Sequence, residues 1–141
     1  MSIEHFVKNR VKKYYWEYNI NCATTILKIL SEHFQIILSN DLINAATGMH
    51  GAGKFGAQCG LVEGTLMFIG VFGKQRGFSD SSIAFLCNQF AGKFEKQFGS
   101  LQCNELRPQG FSTDNPPHLC ETITCKGANF SIQFVQEFLC E

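Results

Sequence analysis

Long apolar runs are missing from this 141-residue chain, and so is any excess of charge. No stretch reaches the ~18 uninterrupted apolar residues that a membrane span needs. The opening MSIEHFVKNRVKK has none of the apolar core of a secretory leader, so a cytoplasmic protein is expected. Twelve Lys and Arg balance twelve Asp and Glu, which gives no electrostatic reason to expect nucleic acid or an anionic membrane as partner. Proline occurs three times, always between Arg107 and His118, where Gly110 and Asp114-Asn115 add further breakers; that stretch reads as a loop. No alternating strand pattern and no internal repeat can be found. No CxxC occurs either, which removes the zinc-ribbon and thioredoxin signatures.

What is present is apolar and helical. Hydrophobic residues make up 45% of the chain and fourteen are phenylalanine, enough for a core filled by aromatic packing. Phe6, Val7, Val11, Tyr14 and Tyr15 recur at helical steps and predict a first helix over residues 2–17. Asn19 or Asn21 can cap a second helix at NCATTILKILSEHF, and Ser39-Asn40-Asp41 starts a short third one. Ser79 to Ser82 offer caps for a helix striped by Ile83, Leu86, Cys87, Phe90, Phe94 and Phe98 and stopped by Gly99. Ser100 to Leu106 reads as a short helical turn, and a last helix runs from about Leu119 to Leu139 with Phe130, Phe134 and Phe138 four apart. The expectation is an all-α fold, one domain over 1–141, with five or six helices in a single compact bundle.

The stretch from Thr47 to Phe72 stands apart. Glycines 48, 51, 53, 56, 60 and 64 crowd its first part, and Cys59 lies near its middle. Each glycine costs roughly 1 kcal/mol against alanine in a helix interior, so a glycine-rich loop is predicted before Cys59. The apolar run from Leu61 to Phe72 then predicts a buried central helix. Cys59 falls at that helix's N-terminus, where free N–H groups favour negative charge and a thiolate should form more readily. Gly60 and Gly64, four apart, predict close packing against another backbone, and leave room for an inorganic group beside the cysteine. Gly48 to Phe55 comes near the phosphate-binding pattern GxxxxGK[ST]. Phe55 stands where the magnesium-binding hydroxyl belongs, and a helix rather than a strand precedes it.

Seven cysteines is a high count for a cytosolic protein, and in a reducing compartment such clusters serve as metal ligands or redox thiols. An odd number cannot be fully paired in intramolecular disulfides. Cys22, Cys59, Cys103 and either Cys120 or Cys125 each sit where a loop meets a helix, separated by 36, 43 and then 16 or 21 residues. Cys87, on an apolar stripe, reads as an inert thiol, and Cys140 as a spectator. His50 reads as a loop hydrogen-bonder. Glu63, one turn beyond Cys59, reads as solvated or paired, with proton acceptance from the thiol as the other reading.

Three segments carry a resemblance. Asn21-Cys22-Ala23, Cys59-Gly60-Leu61-Val62-Glu63-Gly64-Thr65-Leu66-Met67 and Phe98-Gly99-Ser100-Leu101-Gln102-Cys103-Asn104-Glu105-Leu106 together resemble the redox-active family named for its C…CGAxxG…C…C pattern. Members are similar in length, so the resemblance spans nearly the whole chain. Leu61 departs from the family's alanine and should crowd the start of its helix. The distance to the C-terminus inclines the fourth position toward Cys125, with Cys120 the other choice.

The resemblance implies a four-cysteine redox site at Cys22, Cys59, Cys103 and Cys125 or Cys120. In a family whose members occur beside electron-transfer modules, it further implies an iron–sulfur cluster, [2Fe–2S] by preference, in an electron-transfer domain rather than an enzyme in its own right. Four cysteines equally suit structural zinc or a thiol–disulfide oxidoreductase with redox-active disulfides. The redox partner is not legible. The aromatic cluster at Tyr14, Tyr15, Trp16 and Tyr18 leaves a homodimer open, and burial within the bundle explains it as well.

Overall fold

The computed structural model describes residues 2–140. They form seven α-helices: α1 (Ile3–Lys12), α2 (Cys22–Phe34), α3 (Asn40–Ala45), α4 (Gly60–Gln75), α5 (Asp80–Phe98), α6 (Cys103–Leu106) and α7 (Glu121–Leu139). The count exceeds the expected five or six because the short turn read at residues 100–106 forms a helix of its own, α6. No strand occurs among the described residues; Gln58 and Gln102 make one isolated antiparallel bridge.

Polar caps set most of the boundaries. The Ser2, Asn21, Ser39 and Ser79 side chains each accept a hydrogen bond from an N–H of the first turn that would otherwise lack a partner. Gln35 and Gly99, both left-handed, stop α2 and α5. The first helix does not run unbroken to residue 17. After Lys12 it widens into a π-helical turn, Lys13–Glu17, that still buries Tyr14 and Tyr15. Trp16 and Tyr18 stay more than half exposed, so burial accounts for only half of the aromatic cluster.

The central helix is α4, apolar on nearly every side and packed against α2, α5 and α7. Its tightest contact is with α2. A methyl group at Gly64 would lie 2.2 Å from Ile26 Cγ2 and 2.6 Å from the Ala23 carbonyl oxygen; close backbone packing is therefore what this glycine provides. On the opposite side, Thr65 Oγ1 donates to the Leu61 carbonyl at 2.7 Å and shares a hydrogen bond with Ser131 of α7 at 2.9 Å. The crowding expected from Leu61 is relieved by α7. Gly127 lies against Leu61 so closely that a methyl group there would meet Leu61 Cδ1 at 2.9 Å. Phenylalanines join α5 to α7: the Phe90 ring lies 5.2 Å from Phe134 and 5.7 Å from Phe130, tilted or edge-on as aromatic quadrupoles prefer.

The glycine loop contains a left-handed turn. Gly51, Ala52, Gly53 and Lys54 all have positive φ, and the Lys54 N–H donates to the His50 carbonyl. Glycine reaches this region freely, whereas Ala52 carries a Cβ that costs roughly 1–2 kcal/mol there.

Two substitutions should therefore move stability in opposite directions. Gly64→Ala forces α2 from α4 and should cost about 1–3 kcal/mol, whereas Ala52→Gly should add about 1 kcal/mol. Urea denaturation midpoints of the two variants against the parent measure both.

Candidate functional site

The four thiols reach one cavity because of where four helices begin. Cys22 is the first residue of α2, just after its Asn21 cap, and Cys59 is the N-cap of α4. Cys103 is the first residue of α6, and Cys120 is the N-cap of α7. All four line a cavity of about 780 Å³ between the starts of these helices and the 107–118 loop.

Local backbone geometry fixes two of them side by side. The Cys59 N–H donates to the Leu101 carbonyl at 2.8 Å and the Cys103 N–H to the Ala57 carbonyl at 2.7 Å. These bonds flank the Gln58–Gln102 bridge. Side chains alternate across such a ribbon, so Cys59 and Cys103 project to the same face. Glycines make room for two sulfurs. A methyl group at Gly60 would lie 2.4 Å from Cys22 Sγ, and one at Gly51 would lie 2.9 Å from Cys103 Sγ. The glycine loop thus folds over the thiols, with His50 also on the cavity wall. Its Nδ1 is buried and makes no hydrogen bond among the described residues.

Cys125 is not part of this group. Five residues beyond Cys120, it sits about 140° around the helix and does not line the cavity. Its neighbouring charges are Glu121 and Lys8, the latter on α1. Spacing from the C-terminus could not resolve this, since it ignores the helical phase. Cys87 sits 4.0 Å from the Leu66 carbonyl and Cys140 packs near the end of α7, both away from the cavity. Glu63 accepts a hydrogen bond from Gln58 and lies outside the cavity lining, so it pairs with an amide rather than with a lysine or a thiol.

The electrostatics reverse one expectation. The Leu61 and Val62 N–H groups do favour a Cys59 thiolate, but burial outweighs them and, with Cys103 and Cys120 nearby, pushes the thiol up to about 11. Burial raises Cys22 further still, reinforced by Cys59, Cys120 and Cys103 in turn. Cys103 is raised by burial and by Cys120, and drawn back by Arg107. These thiols are therefore neutral near pH 7 when nothing positive lies between them. All seven cysteines are free.

Arg107, His118 and Tyr15 belong to the site but carried no signal in the sequence. Arg107 Nη1 stands 3.5 Å from Cys120 Sγ. The His118 ring stacks on Tyr15 at 5.2 Å, and the Tyr15 hydroxyl lies 2.6 Å from Thr124 Oγ1 beneath the cavity. A cation following a site cysteine by four residues, as Arg107 follows Cys103, is the one pattern that could have pointed to the first of these.

The structure is thus a helical bundle that opens four thiols onto one cavity from four helix starts. Residues 20–134, most of the chain, match the family described as "Putative redox-active protein (C_GCAxxG_C_C)", and the protein belongs to that family. Neither the comparison with curated proteins nor that with solved structures found a match.

The raised thiols give a direct expectation. Moving a thiol from 9.0 to about 11 lowers its thiolate fraction near pH 7 about a hundredfold. In metal-free protein, iodoacetamide should modify Cys59 correspondingly more slowly than an ordinary thiol, with a rate still rising above pH 10. Site-resolved mass spectrometry across a pH series reads this out.

Proposed function

We propose that Cys22, Cys59, Cys103 and Cys120 hold an iron–sulfur cluster and that the domain transfers electrons. The observation that carries the reading is the convergence of four thiols, each at the start of a different helix, on one cavity. Four cysteine thiolates are the usual ligand set of such a centre, and bound there it would supply a one-electron couple. The helix starts of α2, α4 and α7 present positive dipole ends where four thiolates would concentrate negative charge. Gly60 and Gly51 keep the wall free of side chains beside Cys22 and Cys103.

One feature favours a metal centre over a thiol–disulfide exchanger. A lone zinc ion needs its sulfurs about 2.3 Å from one point. Among the described residues no group of three or more His, Cys, Asp or Glu is already arranged to hold a metal ion, so the thiols would have to draw together to hold zinc or a cluster alike. A thiol–disulfide exchanger works best with an attacking thiol near ambient pH, whereas burial holds Cys22, Cys59 and Cys103 above that range. Bound metal would reverse this, since ligation takes the deprotonated form.

Anaerobic purification followed by an absorption spectrum and iron and sulfide analysis tests the reading. A coloured protein with iron and sulfide is expected. Serine at position 22, 59, 103 or 120 should remove most of the iron, and Cys125→Ser, Cys87→Ser and Cys140→Ser should leave it. Loading should weaken as pH falls, because each thiol must release a proton on binding. Iron-free protein after anaerobic reconstitution, or equal iron loss in Cys125→Ser and Cys120→Ser, overturns it.

A further inference from the structure

The cavity carries a second feature besides its thiols. Lys28, Lys54 and Arg107 stand on its lining together with His50 and His118, and no aspartate or glutamate does. The chain as a whole balances its charges at twelve against twelve, so this one-sided wall does not reflect composition. Among the described residues the ion pairs are Arg10–Glu32 and Lys74–Asp80. The three cations of the cavity thus have no carboxylate partner among those residues.

Their placement separates them into two kinds. Arg107 is fixed: its Nε donates to the Gly110 carbonyl at 2.7 Å, its guanidinium lies 4.2 Å over the Phe111 ring, and Nη1 reaches Cys120 Sγ. It acts on Cys103 as well. Neither lysine figures among the charges that shift Cys22, Cys59 or Cys103. Offsetting thiolate charge therefore explains Arg107; Lys28 Nζ also lies 5.6 Å from the centre of the Tyr14 ring, and Lys54 is left with no such contact. Lys54 ends the left-handed turn, with φ at +72°, a conformation costing a non-glycine residue roughly 1–2 kcal/mol. The backbone holds this cation at the rim against its own preference. The volume, about 780 Å³, lies within the ~300–1,000 Å³ typical of small-molecule sites.

We infer that the cavity binds a small oxyanion, a molecule bearing a carboxylate or phosphoryl group, between Arg107, Lys28 and Lys54 and above the four thiols. An arginine fork matches the paired oxygens of either group, and the absence of acidic side chains removes the repulsion that would exclude them. The redox centre would then meet a small anionic molecule inside the cavity, rather than only a protein at the surface. This purpose rests on the redox reading; the binding itself does not.

Calorimetric titration of the full chain as purified, with inorganic phosphate and separately with malonate, at ionic strength held constant with chloride, tests the inference. Saturable binding of at least one probe is expected, and which one binds distinguishes a phosphoryl from a carboxylate ligand. Affinity should fall at least tenfold in Lys54→Gln and in Lys28→Gln. It should be unchanged in Lys93→Gln, on α5 and outside the cavity. Lys54 is exposed, so its variant should fold even where an Arg107 variant does not. No saturable binding of either probe, or binding that survives intact in both cavity variants, overturns the inference. Iron and sulfide measured on the same samples keep the two readings apart: anion binding by a colourless, iron-free protein supports this inference and counts against the cluster.

Discussion

Everything at the functional end of this domain depends on how closely α2 and α4 approach. Gly64 lets the Ala23 backbone and Ile26 lie where a side chain would otherwise stand, and Gly60, one turn earlier, receives the sulfur of Cys22 in the same way. Since Cys59 caps the helix that these glycines open, the same contact that packs the core also brings two thiols from distant parts of the chain to one place. The packing and the site are a single arrangement. The two explanations of the Gly60–Gly64 pair, close packing and room beside the cysteine, describe neighbouring turns of one helix.

The other thiols are recruited by separate means. Cys103 is tied to Cys59 through backbone hydrogen bonds on both sides of a lone bridge, a device that costs no side chain and fixes direction as well as distance. Cys120 arrives with the helix start of α7 and lies under Arg107. The resulting chamber holds Cys22, Cys59 and Cys103 neutral by burial while setting Cys22 and Cys59 at helix N-termini. Such an environment resists ionisation by itself and favours it once positive charge enters.

Leu61 illustrates how a local departure is absorbed. The family pattern has alanine there, and a leucine at the start of a tightly packed helix would be expected to push its neighbours apart. Gly127, sixty-six positions away in sequence, supplies the space. Interiors pack densely, so a gain of volume on one helix has to be met by a loss on the one facing it.

Helix identity was legible in the residues themselves, since caps and apolar periods act within a few positions. Asn21, Ser39, Ser79 and Gly99 mark their helix ends as written. The glycine loop and the buried helix after it were equally readable, because backbone freedom and hydrophobicity are properties of single residues. The placing of cysteines at helix starts followed from the same local rules. What only the tertiary structure decided is whatever depends on rotation about a helix or on residues far apart. Cys120 and Cys125 differ by about 140° of helical phase, and only the docking of α7 against α1 and α4 turns one inward and the other away. Burial, which overrides the helix-terminal preference of Cys59 for ionisation, is likewise a property of the assembled bundle. So is the company of Lys28, Lys54 and Arg107 around one cavity, because charges dispersed evenly along a chain show their grouping only when the chain is folded.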